Sequence, residues 1–394
     1  MSEVPQHLLA VLGVLLFFGL LLPRLLRPLH LPFATSLILV GSVMGPNGLE
    51  LILPDEGLSL FGFLGGTFYM LLAGTEARAL GLRPKERALA RLAVLNSTVP
   101  MAVGVGVARW FGYDWTAAFF LGTVFLSSSI MLVFGVVSAA GIGRTVAGRL
   151  LMRVAVLQDL TAAVLAFLLF QTLDPNARFP LPILAGLVFS SVVLLRMFLP
   201  EVVAFFFARF EEKGGDDHEA RLRLVIAIFL LAIFAYSAFD VHPVIAAFLV
   251  GFSLAEIPSA PLIRERLETM GYGLFIPVFL FIVGLDTDLR VVTRFDPENA
   301  LAVAVLIGAG GSKVLSGFVG ARWAGLSGKD AWIVGVASSA KLAVPLAATY
   351  AARDLGILDA DLFSAIIIAS VVLAVVVPLA VSAMTHAARE SSDA

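Results

Sequence analysis

A carboxylate buried in an apolar run is the first residue in this chain with chemistry to offer. Leu150–Phe170 reads LLMRVAVLQDLTAAVLAFLLF, with Asp159 near its middle, Gln158 beside it and no further charge after Arg153. The run has the length and character of a membrane-spanning helix. An ionised aspartate at the centre of such a helix costs roughly 2.5–3.5 kcal/mol, so a chain that keeps one uses it by default to bind a cation or a proton. The alternative is structural: a buried acid that caps a neighbouring helix or pairs with an arginine.

Other polar residues in apolar surroundings could complete such a site. Ser127, Ser128 and Ser129 form a triplet in FLSSSIM, and Ser338 and Ser339 precede Lys341 and Pro345 in VASSAKLAVP. Serine hydroxyls satisfy backbone groups freed where a helix unwinds, and proline removes one donor outright, so both stretches are candidate breaks in their helices. Small serines also permit close helix packing without any break, and that reading stands beside the first. Lys313 and Lys341 are cations placed centrally in spans and require partners. Arg196 lies near the end of its span, where its stem can reach the interface.

The elements that must position these residues follow from hydropathy. With 59% hydrophobic and 14% charged residues, the chain falls far from the roughly 25% charge of a soluble domain. Thirteen apolar spans are predicted, near 7–23, 31–46, 58–76, 89–111, 116–139, 148–170, 181–207, 222–239, 242–257, 271–286, 300–323, 330–353 and 361–384. The fold class is an all-α integral membrane protein with short connections, the charge-rich 209–223 loop being the longest polar one. With the N-terminus outside and the C-terminus inside, 19 Lys and Arg residues fall on the inner side and 5 on the outer, a strong positive-inside bias. The N-terminus has no basic region or cleavage motif, so the first span is read as retained. Little sequence follows the last span, and no soluble regulatory domain is expected.

Two halves echo each other. LLAGTEARAL (71–80) matches FIVGLDTDLR (281–290) at an offset of 210, Ser128–Ser129 matches Ser338–Ser339 at the same offset, and ARWFG (108–112) matches ARWAG (321–325) at 213. On the topology above these are inverted repeats, near 31–170 and 242–384, within one transport unit spanning 1–394. Transporters built in this way bind substrate near the bilayer midplane, where helices of each repeat break.

Several other chemistries are excluded or disfavoured. There is no cysteine, hence no disulfide, thiolate ligand or thiol nucleophile. The five histidines lack metal-site spacing, and GAGGSK (308–313) lacks the spacing of a phosphate loop. No enzyme is indicated: the spans hold no pair of catalytic aspartates and no Ser–His dyad. No cofactor, resident metal or nucleic-acid partner is expected.

The pieces GSVMGPNGLE, AGTEARAL, the serine triplet, QDL (158–160), HPVIAAFLVGFSLAE (242–256), LFIPVFLFIVGLDTDL (274–289) and SKVLSGFVGARWAGLS (312–327) run nearly end to end. In order and spacing they resemble the monovalent cation:proton antiporter-2 family, which includes bacterial sodium/proton antiporters and Kef-type potassium/proton systems. The resemblance implies thirteen helices, a dimerisation domain, a mobile core with two crossed broken helices, and alternating access by an elevator-like shift. It also implies a homodimer in a bacterial inner membrane. Asp159 then occupies the position of the ion-binding aspartate. Gln158 stands where electrogenic sodium/proton antiporters have Asp and Kef-type members have Gln. Lys313 matches a core-helix lysine, and Ser128–Ser129 fall where Thr-Ser is usual. Lys341-Leu342-Ala343 departs from the usual Arg-Gly-Glu, which leaves the role of Lys341 open.

The expected chemistry is exchange of Na⁺ or K⁺ for H⁺ on one shared group. Asp159 supplies the charge, and Ser128, Ser129, the Gln158 carbonyl, freed backbone carbonyls and water supply neutral oxygens. Ser127, Ser338 and Ser339 support the crossing. Lys313, with Lys341 as a second compensating cation, is expected to pair with Asp159 when the site is empty; at 4 Å and an effective dielectric near 20 such a pair is worth on the order of 4 kcal/mol before desolvation. One carboxylate points to electroneutral exchange, whereas loss of a proton from Lys313 during the cycle would make it electrogenic. Glu76, Asp240, Asp286 and Asp288 lie near span ends and read as interfacial, capping or funnel residues. Two other readings use the same architecture: a Kef-like efflux pathway with a separate cytosolic regulatory subunit, and a sodium-coupled organic-anion carrier.

Overall fold

The computed structural model describes residues 6–25, 33–53, 55–76, 87–173, 180–210, 218–239, 241–255, 260–290 and 297–393. Arg27, Arg78, Arg83, Lys85, Arg178, Lys213, Asp240 and Arg294 lie outside these residues, as do the side chains of Glu76 and Arg196. The described chain is all-helical. In order its helices are α1 (Gln6–Leu25), α2 (Phe33–Met44), α3 (Glu56–Glu76), α4 (Arg87–Trp110), α5 (Trp115–Leu126), α6 (Ile130–Ala139), α7 (Val146–Leu173), α8 (Leu181–Phe210), α9 (His218–Ser237), α10 (Pro243–Leu254), α11 (Ala260–Met270), α12 (Ile276–Leu285), α13 (Pro297–Trp323), α14 (Gly328–Ser338), α15 (Ala343–Asp354) and α16 (Ala360–Asp393).

Helix overlaps every predicted apolar stretch, but not one helix per stretch. Six helical segments among the described residues are long and apolar enough to cross a bilayer alone: Glu56–Thr75, Arg87–Trp110, Val146–Thr172, Arg264–Leu285, Ala300–Trp323 and Ala360–Thr385. The stretches at 116–139 and 330–353 are each two short helices, α5 with α6 and α14 with α15. The stretch at 271–286 begins earlier than hydropathy indicates, because the polar turns of α11 continue into it through a π-helical segment, Gly271–Phe275. Pro277 follows directly: it has no N–H for the carbonyl four residues back, and such a gap is one that a π-turn accommodates.

The helices pack in two groups. One packs α4 against α5 and α13, with α13 also against α14 and α16; the other packs α3 against α10 and α12, with α12 against α2. α7 touches α4, α5, α6, α14 and α15, so its central residues face both broken pairs.

The echo in the sequence has a local structural counterpart. A Cβ on Gly104 would lie 2.8 Å from Gly122 Cα, and one on Gly317 would lie 2.8 Å from Gly335 Cα, so α4–α5 and α13–α14 approach through glycine pairs. Gly317 and Gly335 stand 213 residues after Gly104 and Gly122. The turn after each long helix uses the glycine of its ARWxG motif in the left-handed region, Gly112 at φ 86° and Gly325 at φ 95°. The next helix is capped by Asp114 onto the Ala117 N–H in one hairpin and by Ser327 onto the Asp330 N–H in the other.

Candidate functional site

The breaks fall at the serines. α5 ends at Leu126, residues Ser127 and Ser129 have extended backbone, and α6 starts at Ile130; α14 ends at Ser338 and α15 starts at Ala343. The two breaks touch: the Ser129 N–H donates to the Ala340 carbonyl at 2.8 Å, and the Ser128 hydroxyl donates to the Ser338 carbonyl at 2.5 Å. Close packing alone does not account for these serines, because their backbone and side-chain groups carry the contact.

An interrupted helix leaves bare carbonyls at one end and bare N–H groups at the other, with partial charges of about −0.5 and +0.5. At the α5–α6 break both ends are met by ionisable groups. The Thr123 carbonyl takes the Ser127 N–H. The next carbonyls go to two lysines. Lys341 Nζ donates to Val124 O at 2.8 Å, Phe125 O at 2.8 Å and Ser127 O at 2.7 Å, and Lys313 Nζ donates to Leu126 O at 2.6 Å. An ammonium has three donors, and Lys341 places one on each of three carbonyls. This is the role of the lysine that stands in place of Arg-Gly-Glu: it crosses from the second break to close the helix end at the first.

At the α6 end, Asp159 reaches in from α7. Its Oδ1 accepts the Ser127 hydroxyl at 2.7 Å and its Oδ2 accepts the Ile130 N–H at 3.1 Å. The side chain is 2% exposed. Each carboxylate oxygen thus has one hydrogen bond and one lone pair to spare. The capping geometry weighed against an ion site from the sequence is therefore present, and it leaves binding capacity on the same group.

The expected direct Lys313–Asp159 pair is replaced by another arrangement. Lys313 Nζ points to Gln158 Oε1 and Ser128 Oγ, each at 2.9 Å, and to the Asn96 carbonyl at 3.1 Å and Asn96 Oδ1 at 3.3 Å, besides Leu126 O. Gln158, the residue before Asp159 on α7, is therefore the neutral acceptor that this helix offers the lysine. Its amide donates to Asn96 O at 2.8 Å, Asn96 Oδ1 at 3.0 Å and Ser97 Oγ at 3.2 Å.

Asn96, which sequence reasoning did not single out, joins this cluster. Fully buried, it also donates from Nδ2 to Lys313 O at 2.9 Å, Ser316 Oγ at 3.1 Å and Ser338 Oγ at 3.2 Å. Its own carbonyl is free for Gln158 and Lys313 because the residue four positions on is Pro100, which has no N–H to offer. The signal was in the chain as Asn-Ser-Thr-Val-Pro: a buried amide exactly one hydrogen-bond register before a mid-helix proline.

The serines divide by role. Ser128 both donates and accepts within the crossing, so it is not a free oxygen ligand here, and the α5 carbonyls expected to face a cation are taken by lysines. Ser338 donates to Gly335 O at 2.8 Å and Ser339 to Val336 O at 2.6 Å. Ser129 differs. Its hydroxyl is buried and has no hydrogen-bond partner among the described residues, although Ser129 occupies the N-cap position of the α6 turn that Asp159 holds. Of the acids near span ends, Asp286 pairs with Arg353, and Asp288 accepts the Arg290 N–H at 2.8 Å.

Fold and site together define an integral membrane protein of helices with two touching breaks, a buried carboxylate at one half-helix and buried ammonium groups at the other. The model of the sodium/hydrogen exchanger transmembrane family matches residues 13–387, and the chain belongs to that family. It is similar to the probable Na(+)/H(+) antiporter 3 of Methanocaldococcus jannaschii, at 25% identity over 94% of this chain and 95% of that protein. It is also similar to an Na(+)/H(+) antiporter of Enterococcus hirae, at 22% identity over 90% and 91%. It spans 55% of the length of the Na(+)/H(+) antiporter NhaS5 of Synechocystis, to which it is 26% identical over 96% of its own residues. Its fold is like that of the solved sodium proton antiporter MjNhaP1 of M. jannaschii, with a TM-score of 0.71, 16% identity and coverage of 96% and 97% of the two chains.

Proposed function

We propose that this protein exchanges a monovalent cation, Na⁺ or K⁺, for a proton, with Asp159 as the group that carries either. The observation that carries this reading is the state of Asp159: buried, held by one donor on each oxygen, and bonded to neither lysine. A cation would meet the two spare carboxylate lone pairs and the partnerless Ser129 hydroxyl, hard oxygens suited to an alkali ion. A proton would occupy one of the same lone pairs, so the two ions compete for one group. Lys341, with all three donors placed, holds the α5 end fixed through the cycle. Lys313, with more acceptors around it than donors, is the cation free to redistribute its bonds as the charge on Asp159 changes.

The finer elements of the reading belong to the same proposal. They are thirteen crossings in two inverted repeats, the N-terminus outside and the C-terminus inside, a homodimer in a bacterial inner membrane, and an elevator-like shift of the helices bearing the crossing. With a single exchangeable carboxylate the exchange is electroneutral. Membership of the antiporter-2 branch, with Gln158 as in Kef-type members, is supported by the Gln158–Lys313 hydrogen bond, since an acid at 158 would give that lysine a charged partner.

The test is cation-induced dequenching of a pH-sensitive dye in proteoliposomes, comparing Na⁺, K⁺ and Li⁺. Exchange that survives Asp159→Asn, or that appears only with an organic anion, would sink the reading. A current that scales with the cation gradient would remove the electroneutral part alone.

A further inference from the structure

All four tryptophans of the chain lie at two turns, and both turns belong to the hairpins that carry the breaks. Trp110 and Trp115 flank the α4–α5 turn; Trp323 and Trp332 flank the α13–α14 turn. Each is exposed, at 87%, 59%, 54% and 44% respectively, which for the largest side chain in the set is unusual on a folded surface that water covers. An arginine stands over one indole in each cluster: Arg109 over Trp115 at 4.6 Å and Arg91 over Trp323 at 5.5 Å.

The spacing between the clusters is informative. Arg91 and Arg109 both belong to α4, near its first and last turns, so at about 1.5 Å per residue the clusters are separated by roughly 27 Å along the helix. The hydrocarbon layer of a bilayer is about 30 Å thick. Indoles exposed at that separation match the two levels where Trp is favoured, with its ring in the acyl boundary and its N–H among the headgroups. Each arginine keeps donors beyond the backbone bond it already makes, Arg109 to the Tyr113 carbonyl and Arg91 to the Trp323 carbonyl.

We propose that these two Trp–Arg clusters seat the site-bearing hairpins in the two headgroup layers of the membrane, with the indoles at the glycerol level and Arg91 and Arg109 bound to phospholipid phosphodiester groups. The partner is the lipid interface, not a second protein. The clusters sit at the ends of α4 and α13, the helices that also supply Asn96 and Lys313.

The experiment uses the full chain in nanodiscs whose lipids carry bromine near the glycerol or near the terminal methyl. The wild-type protein decides the depth, because all four indoles are expected at the same depth below the nearer bilayer surface. Quenching by the shallow label should exceed that by the deep label about twofold or more, and variants that keep one tryptophan with the other three as Phe should agree. Stronger quenching by the deep label, quenching by aqueous iodide alone, or shielding from both, as at a protein interface, overturns the proposal. Arg91→Gln with Arg109→Gln should lower retention of phosphatidylglycerol on the purified protein by about threefold; unchanged retention overturns the headgroup part. None of these readouts needs transport, so their failure is separable from failure of the exchange reading.

Discussion

The two breaks begin from matched sequence and end with different chemistry. At the α5–α6 break, the helix ends are met by side chains from elsewhere: two lysines on the carbonyl end and an aspartate on the N–H end. At the α14–α15 break, the chain closes on itself. The Ser339 N–H bonds to Val336 O at 3.1 Å and the Ala340 N–H to Ala337 O at 3.3 Å, while Leu342, at the start of α15, makes no side-chain cap. The second break acts as a supplier. It sends Lys341 and two backbone carbonyls to the first and, among the described residues, accepts no hydrogen bond from a buried charge in return. Matched sequence thus marks the places of the breaks, and three unmatched side chains, Asp159, Lys313 and Lys341, set their chemistry apart.

That asymmetry can be broken most completely at the acid. Asp159→Asn should abolish exchange to the level of empty liposomes while the protein still inserts and elutes as a folded species. Dye dequenching and size-exclusion chromatography check the two halves of that statement. The next largest effect is expected at the cap. Lys341→Met leaves three buried carbonyls without partners, and at about 1–3 kcal/mol for each orphaned group the loss should reach several kcal/mol, read as a lowered melting temperature in detergent. Ser339→Ala, which removes only a hydroxyl bonded within its own helix turn, should change that temperature little; a comparable drop would mean the second break is not the passive partner.

Asn96 sharpens the comparison from the side. Asn96→Leu removes donors to Ser316 and Ser338 and the acceptor shared by Gln158 and Lys313, and should destabilise by roughly 2 kcal/mol. Pro100→Ala restores an N–H that competes for the Asn96 carbonyl; exchange should slow severalfold even though a helix interior generally gains stability when proline is removed, by up to about 3 kcal/mol. Faster exchange in this variant would contradict the account of the carbonyl. The smallest expected effects concern affinity. Ser129→Ala should be nearly neutral in thermal stability, because the hydroxyl has no partner to lose, yet should weaken the apparent cation affinity. Ser128→Ala should do the reverse, costing about 1 kcal/mol of stability. Gln158→Ala should alter apparent affinity more than turnover.

Much of this architecture was legible before any coordinates. The spans follow from apolar length, because backbone in lipid must bond within its own helix. The breaks followed from serine pairs at a matching offset, with Pro345 near the second, and the burial of Asp159 from its place in an apolar run. Lys341 was legible as a buried cation in need of a partner but not as a cap, since its partners lie some 215 residues earlier, Ser127 at a separation of 214. The direct Lys313–Asp159 pair was the natural guess from two opposite charges in spans. A neutral glutamine with a donor and an acceptor within reach of both helices intervened, and nothing in the order of residues indicates on which side of α7 its amide lies.

By itself the sequence determined which residues must be buried, where helices must stop and which of those residues carry charge, because helical register, proline and the cost of ions in hydrocarbon act locally along the chain. Only the tertiary structure decided the pairings: which ammonium closes which helix end, which carbonyl a proline frees for whom, and which of the serines at the breaks has no partner among the described residues. Those choices depend on distances of about 3 Å between residues a hundred or two hundred positions apart, and hydrogen bonds lose their strength steeply beyond that range.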